Sequence, residues 1–406
     1  MKIAFVSGGY YRADNVGSWS GTPFYMVRAL EECGCKVRKI TLPPPPALTR
    51  DLVAKIWCRF VQKKRLLIDR TPRRLATIQK QLTQELDGID CDAIISPSSL
   101  FIAALPGRVP AVFWTDACFA GMVGFYESFS DLTASSLRQG HEVERRALQR
   151  AALALYSSEW AAATARDAYG NLGSRIAVVP FGANMTDAPD AVGVSAAIDR
   201  RGGTTLRILF IGVDWERKGG DYACEIVNQA RLRGIPAELD IVGCEPPRKN
   251  LTAQPWVHSH GFISKATSDG RKRLEELMLS ADWLILPTRA ECYGMVFAEA
   301  AGFGLPSLAT AVGGVPTAVM DGKNGYVFPL TAPAEIWVNT IEYFWNDHEQ
   351  YRALAKSART EYLGRLNWGV AGKTVMNWLS ELVGKRSQVS KSFAQRQPKN
   401  QGSIII

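Results

Sequence analysis

The sequence predicts an α/β protein made of two doubly wound domains that face one another across a cleft. Three observations lead there. Apolar runs of strand length alternate with helix-period segments in two successive series. The series are separated by residues 182–205, a stretch rich in Gly, Ala and Asp without sustained periodicity, which reads as an interdomain linker. With 406 residues, the chain is long enough for two domains of ordinary size, each with its own core.

In the first half, the candidate strands are 3–7, 37–41, 93–96, 111–114, 154–157 and 176–179. The opening MKIAFVSGG carries one lysine and a short apolar run leading straight into a glycine loop, so it reads as a first strand and not as a signal peptide. The loop that follows, GGYYRADNVGSWSG, precedes a helix at 22–33 and far exceeds the compact turn of a GxGxxG dinucleotide fingerprint, which disfavours a dehydrogenase. Trp19 in that loop suits stacking on a sugar or plugging the loop against the core. Asp90-Cys-Asp92 precedes the strand 93–96, where the pair reads as turn and strand-start residues and not as a metal site. In the second half, the strands are expected at 206–211, 238–242, 283–286, 307–309 and 326–328, with helical patterns continuing over 334–382. Residues 384–406, polar and basic until the last few, are expected to be disordered.

Composition narrows the class. Apolar residues make up 47% and charged residues 21% of the chain, as in soluble globular proteins, and no run approaches the roughly 20 apolar residues of a membrane span. Eight Cys are scattered without CxxC pairs, a pattern that suits a reducing cytosol. Cys292 has no evident base nearby in sequence and is not expected to be a nucleophile.

The chemistry concentrates in ADWLILPTRAECYGMVFAEAAGFGLPSLATAVGGVP, residues 281–316. A buried strand at 283–286 leads through the loop 287–293 into a helix at 294–302, so a helix N-terminus faces the mouth of a sheet. The amides of Gly294, Met295 and Val296 suit a phosphate, and Gly294 allows it to approach the backbone. Glu291, ahead of the helix, can accept hydrogen bonds from a polyol, whereas Glu299, more than a turn in, can reach a ribose. Two carboxylates around one diphosphate describe a nucleotide sugar. At the start of the second sheet, in ILFIGVDWERKGGDYACEIV, Arg217 and Lys218 stand at a helix entrance, where two cations and free amides can neutralise a leaving diphosphate.

These motifs resemble the donor site of the retaining glycosyltransferases of family 4, whose fold is GT-B, two Rossmann-like domains about a cleft. The resemblance covers most of the chain, about 1–382. It implies that Glu291 contacts the transferred sugar and Glu299 the ribose hydroxyls, that Gly313-Gly314 follow in the expected order, and that Lys218, a Lys before Gly, binds the donor phosphates. An Arg that usually follows the strand glycine is replaced by Val213, leaving Arg217 either to take over its role or to lie solvated on the surface. Across the cleft, Ser20, Gly21 and Thr22 are implied to approach the diphosphate. Many relatives carry a His-Asp pair after the strand 111–114; here Thr115 stands in the His position and only Asp116 is carried over, as a catalytic residue.

The resulting domain plan is an acceptor-side domain over 1–181, a linker over 182–205, a nucleotide-sugar-binding domain over 206–365, a helix over 366–383 crossing back to the first domain, and the tail. No metal and no cofactor is expected, because Lys218, Arg217 and helix amides can supply the leaving-group charge. His258 and His260 alternate like ligands but lack further ones, and read as flanking the turn at Gly261. The net charge of +9 is concentrated over 55–80, where Lys55, Arg59, Lys63, Lys64, Arg65, Arg70, Arg73, Arg74 and Lys80 accompany Ile56, Trp57, Phe60, Leu66 and Leu67. Such a helical stretch suits either an anionic membrane surface or, more plainly, a solvated face over a packed apolar stripe. No nucleic-acid-binding module accompanies the charge. The expected protein is therefore a cytoplasmic glycosyltransferase moving a sugar from a nucleoside-diphosphate sugar to a hydroxyl of a glycan or lipid-linked acceptor, with a place at the inner face of the membrane if the basic stretch binds there. The alternatives are a nucleotide-sugar epimerase of the same architecture and a non-catalytic nucleotide-sugar-binding protein.

Overall fold

A computed structural model describes residues 1–44, 48–107, 109–247, 251 and 253–395, with side chains through 384. Six strands form the first sheet: β1 (Lys2–Gly8), β2 (Lys36–Leu42), β3 (Ala93–Ser96), β4 (Ala111–Thr115), β5 (Leu153–Tyr156) and β6 (Arg175–Val178). Six more form the second: β7 (Leu206–Ile211), β8 (Ala237–Val242), β9 (Val257–Ser259), β10 (Trp283–Leu286), β11 (Ser307–Thr310) and β12 (Gly325–Phe328). The sheet orders are β2-β1-β3-β4-β5-β6 and β12-β11-β10-β7-β8-β9, with every pairing parallel. Each sheet reverses its direction of growth once, between β1 and β3 and between β7 and β10. A crevice opens outside the carboxyl ends at such a point, and that is where ligands of these sheets bind.

The central strands β3, β4, β5, β10 and β11 are buried at every position, which is why they read as short apolar runs. Strand β9 escaped the sequence reading. Its Val257-His-Ser is too short and too polar to register as an apolar run, and only pairing with β8, Leu239 opposite Val257, makes it a strand.

Three expectations need correcting. Residues 182–205 are not featureless: a helix, Ala191–Arg200, is capped by Asp190, which accepts from the Gly193 amide at 2.8 Å, and it buries Val194, Ala197 and Ile198. That i, i+3, i+4 stripe is too small and too diluted by Gly and Ala to show as a period. The final helix, Trp368–Gln395, runs past 384 into the stretch expected to be disordered, because Lys, Arg, Ser and Gln extend an existing helix at little cost; residues 396–406 lie outside those described. The basic stretch is two helices, Thr49–Phe60 and Pro72–Leu86, broken by irregular backbone where Thr71 caps the second and Pro72 opens it.

The final helix packs on the first domain's helix Thr22–Glu32, closely enough that a Cβ on Gly372 would lie 2.9 Å from the Ala29 carbonyl oxygen. Where it begins, the two chain crossings touch, and a Cβ on Gly182 would sit 2.2 Å from the Trp368 amide nitrogen. Trp368 also stacks on Phe181 and meets Trp114 edge to face, so an aromatic cluster fills the junction.

Candidate active site

The loops leaving β7 and β10 are zipped together. Arg289 donates its amide to the Arg217 carbonyl at 2.8 Å, and Thr288 donates its hydroxyl to the same oxygen at 3.1 Å. Gly219 makes this approach possible: its φ is 77°, and a Cβ there would lie 2.1 Å from the Pro287 carbonyl oxygen. One turn of helix, Trp215–Lys218, is capped by the Asp214 carboxylate, which accepts the Arg217 amide at 3.1 Å and the Arg217 Nε at 3.2 Å. Arg217 and Lys218 are thereby aimed across to the β10 loop.

There they meet Glu291. Lys218 Nζ is hydrogen-bonded to Glu291 Oε2, Arg217 Nη1 lies 3.6 Å from the same oxygen, and Nη1 also donates to the Ala290 carbonyl at 2.9 Å. Both side chains of the Lys218–Glu291 pair are nearly buried, at 11% and 13% exposure, so their electrostatic interaction is little screened. Arg217 is thus turned toward Glu291, its side chain 26% exposed, and does not lie fully solvated on the surface.

The helix Met295–Gly302 begins beside this pair. Gly294 precedes it at φ 84° and ψ 72°, and no side chain caps the helix. Its first amides therefore face the crevice, while Met295 and Val296 remain partly exposed. Gly313 and Gly314 lie under the Glu291–Cys292 backbone, where a Cβ would come within 2.2 Å and 2.0 Å of the two carbonyl oxygens. Glu299, 3% exposed, is bonded to Lys265 Nζ. Lys265 was not foreseen, since nothing in its sequence surroundings distinguishes it from a surface lysine.

From the first domain, the loop after Met122 reaches over. Tyr126 accepts the Cys292 amide at 3.1 Å, and its ring faces the Arg217 guanidinium with 5.6 Å from centroid to carbon. Tyr126 is thus a site residue that the sequence did not reveal, and no local signal could have found it. Cys292 is buried, its thiol pushed well above the ordinary range chiefly by loss of solvation, as an inert packing residue would be.

Asp116 follows β4 at the cleft. Loss of solvation raises its carboxyl from 3.8 to about 7, with the nearby Glu291 charge adding to the rise. Tyr10 is also raised, first by desolvation and then by Asp116, while Arg217 opposes the shift. Asp116, Tyr10, Arg217 and Glu291 therefore form one electrostatic neighbourhood drawn from both domains.

The approach of Ser20, Gly21 and Thr22 is modified. Ser20, exposed at φ 56°, and Gly21, at φ 88°, form the tight turn before the helix Thr22–Glu32, but Thr22 is 1% exposed and its hydroxyl accepts from Asn184 Nδ2 at 3.2 Å. Asn184 also donates to the Ser20 carbonyl at 2.8 Å and accepts from Trp368 Nε1 at 2.9 Å, tying the loop to the domain junction. Trp19 plugs the loop, meeting Tyr11 and Phe181 edge to face. The other motifs are structural: Asp90 pairs with Lys2, Asp92 accepts the Lys2 amide at 2.7 Å, and His260 bonds Asp240 of β8 at 2.6 Å.

Residues 205–347, which hold β7 to β12, this crevice and both glutamates, match the family described as Glycosyl transferases group 1. The second domain is a group 1 glycosyltransferase domain. The match bears out the resemblance to the family 4 enzymes. A D-inositol 3-phosphate glycosyltransferase of Paenarthrobacter aurescens is 27% identical over 161 residues, 38% of this chain and 39% of that protein. The same activity names a relative from Xylanimonas cellulosilytica, 29% identical over 54% of each chain. The chain thus spans about two fifths to a half of these curated relatives. Among solved structures, a sucrose-phosphate synthase of Thermosynechococcus elongatus superposes with TM-score 0.68 at 17% identity, over 95% of this chain and 100% of that one. Outside the group 1 domain this likeness concerns the fold, which is GT-B throughout.

Proposed function

We propose that the protein is a retaining, metal-independent glycosyltransferase that moves a sugar from a nucleoside diphosphate to a hydroxyl of a glycan or lipid-linked acceptor, acting in the cytoplasm. One observation carries this reading: Lys218, Arg217, Glu291 and an uncapped helix N-terminus converge at the switch point of the second sheet. In the proposed reaction, the bond from the anomeric carbon to the diphosphate breaks as the acceptor oxygen bonds to that carbon and passes its proton to the departing phosphate oxygen. The charge gathering on the leaving oxygen is met by Lys218, Arg217 and the amides of Gly294 to Val296. Glu291 holds sugar hydroxyls, Glu299 the ribose, and Asp116 stands at the reacting centre from the acceptor side. Retention of configuration rests on the family resemblance.

Anabaena Alr3699/HepE, of the same fold with TM-score 0.63 and 16% identity, was solved with UDP and, separately, with UDP-glucose. Uridine compounds are accordingly the first to try. In EDTA, a thermal-shift panel of nucleoside diphosphates and their sugars is expected to raise the melting temperature for one base series, with slow donor hydrolysis in that series. A shift that appears only with Mg or Mn would overturn the proposed leaving-group chemistry. Donor binding without hydrolysis or transfer would favour a binding protein, and donor isomerised without acceptor an epimerase.

A further inference from the structure

The helix Thr49–Phe60 is amphipathic the wrong way round. It packs on its own domain through Asp51, Ala54 and Cys58, the last buried, while its large apolar residues point outward. Leu52, Val53, Ile56, Trp57, Phe60 and the adjoining Val61 are 50–76% exposed. At 100° per residue, the five within the helix share one continuous arc, so they form a stripe and not scattered exposure. Soluble domains rarely leave such a patch in water. This also settles the simpler reading of the stretch: Ile56, Trp57 and Phe60 are not a packed stripe under a solvated face.

Charge says what covers it. On the helical wheel the apolar arc is bordered by exposed Lys55 and Arg59 on one side and by exposed Arg50 on the other, with exposed Lys63 and Lys64 just beyond the helix. By contrast, Arg65, Arg70 and Arg74, later in the basic stretch, are bound to Glu127, Asp69 and Asp51. The cations that frame the apolar face stay outward: Arg50 and Lys64 reach Asp51 and Asp131 only at 3.8 Å and 3.9 Å and remain 67% and 49% exposed, while Arg73 and Lys80 of the second helix are exposed as well. We propose that this face is a docking surface for an anionic lipid bilayer, with the apolar stripe inserted at the acyl boundary and the basic rim on the headgroups. Two copies meeting through the same stripe would bring basic rims together, which disfavours self-association.

The location gives the docking a purpose. The helix follows the carboxyl end of β2, on the cleft side of the first sheet, and its exit is tied to the loop bearing Tyr126: Arg65 donates its amide to the Asp131 carbonyl at 2.7 Å and accepts the Thr133 amide at 3.0 Å. A bilayer held there lies beside the acceptor side of the cleft. The corollary that the acceptor is itself lipid-borne rests on the proposed transferase function; the docking does not.

The test is sedimentation of the full chain with vesicles, without donor or acceptor. Binding is expected to vesicles containing about a third phosphatidylglycerol, to fall steeply with added salt, and to be at least tenfold weaker on pure phosphatidylcholine. Ile56→Ser/Trp57→Ser/Phe60→Ser should abolish it, and Lys55→Glu/Arg59→Glu should weaken it at least tenfold on anionic vesicles. Both variants should keep native circular dichroism and the nucleotide-induced thermal shift. Wild-type protein that stays in the supernatant, or an apolar-face variant that still sediments, overturns the proposal. A wild-type dimer that the triple substitution converts to a monomer, without vesicle binding, assigns the face to self-association instead. Docking that holds while no nucleotide binds would overturn the transferase reading alone.

Discussion

Glu291 and Glu299 are each already bonded to a lysine, Lys218 in one case and Lys265 in the other. On the proposed function, a nucleotide sugar exchanges these contacts for its own hydroxyls, and the two carboxylates should respond to different halves of the ligand. Glu299→Gln is expected to weaken the bare nucleoside diphosphate and the full sugar nucleotide alike. Glu291→Gln should leave the diphosphate nearly unaffected and weaken the sugar nucleotide, since a carboxylate contributes about 1.5 to 3 kcal/mol per hydrogen bond only when the hydroxyl is present. Calorimetric titration of both ligands on both variants decides it, and equal weakening of the bare diphosphate would reverse the assignment. Asp116 makes a second prediction at this scale. Its carboxyl is raised from 3.8 to about 7, so the folded state holds the proton more tightly than the unfolded chain. The stabilisation this brings is complete below 3.8 and is lost as pH climbs to about 7. Asp116→Asn stays neutral, so its melting temperature relative to wild type should rise across that interval and level off above it. A difference that does not vary with pH would remove the shift.

At the scale of elements, the site depends on how closely the β7 and β10 loops approach. Gly219 and Gly234 both have positive φ, 77° and 87°, but a Cβ on Gly219 would strike the Pro287 carbonyl while nothing lies within 4 Å of one on Gly234. Gly234→Ala should therefore show backbone strain alone, on the order of 1 kcal/mol. Gly219→Ala should cost more, and it should also weaken nucleotide binding by displacing Lys218. Chemical denaturation and thermal shift of the two variants measure both effects, and equal losses would mean that the loop contact is soft.

Across the whole molecule, the domains meet at the site itself. Tyr126 bridges the cleft to Cys292 and Arg217, and Glu159 donates its amide to Thr317 Oγ1 at 3.1 Å nearby. Tyr126→Phe removes the acceptor of the Cys292 amide but keeps the ring over Arg217. Hydrogen exchange at Cys292 should quicken in that variant while amides of β10 stay protected, and Tyr126→Ala should quicken it further by freeing Arg217. Unchanged exchange in both would mean that the cleft is open in solution.

Local pattern along the chain is enough for much of the architecture. Strand and helix periods gave both parallel sheets, because burial on both faces makes β3, β4, β10 and β11 short apolar runs. Lys218, Glu291, Gly294 and Glu299 were legible because loops at strand ends hold chemistry within a few residues of a helix start. Tertiary structure decided whatever depends on partners far apart in the chain. Tyr126 and Cys292 are separated by 166 positions, Asn184 and Ser20 by 164, and Lys265 and Glu299 by 34, and no local period records such meetings. The same holds for exposure. The sequence of Thr49–Phe60 contains an apolar stripe and a basic one, but which faces the core is set by what packs on Asp51, Ala54 and Cys58, and only the folded chain turns the apolar side outward.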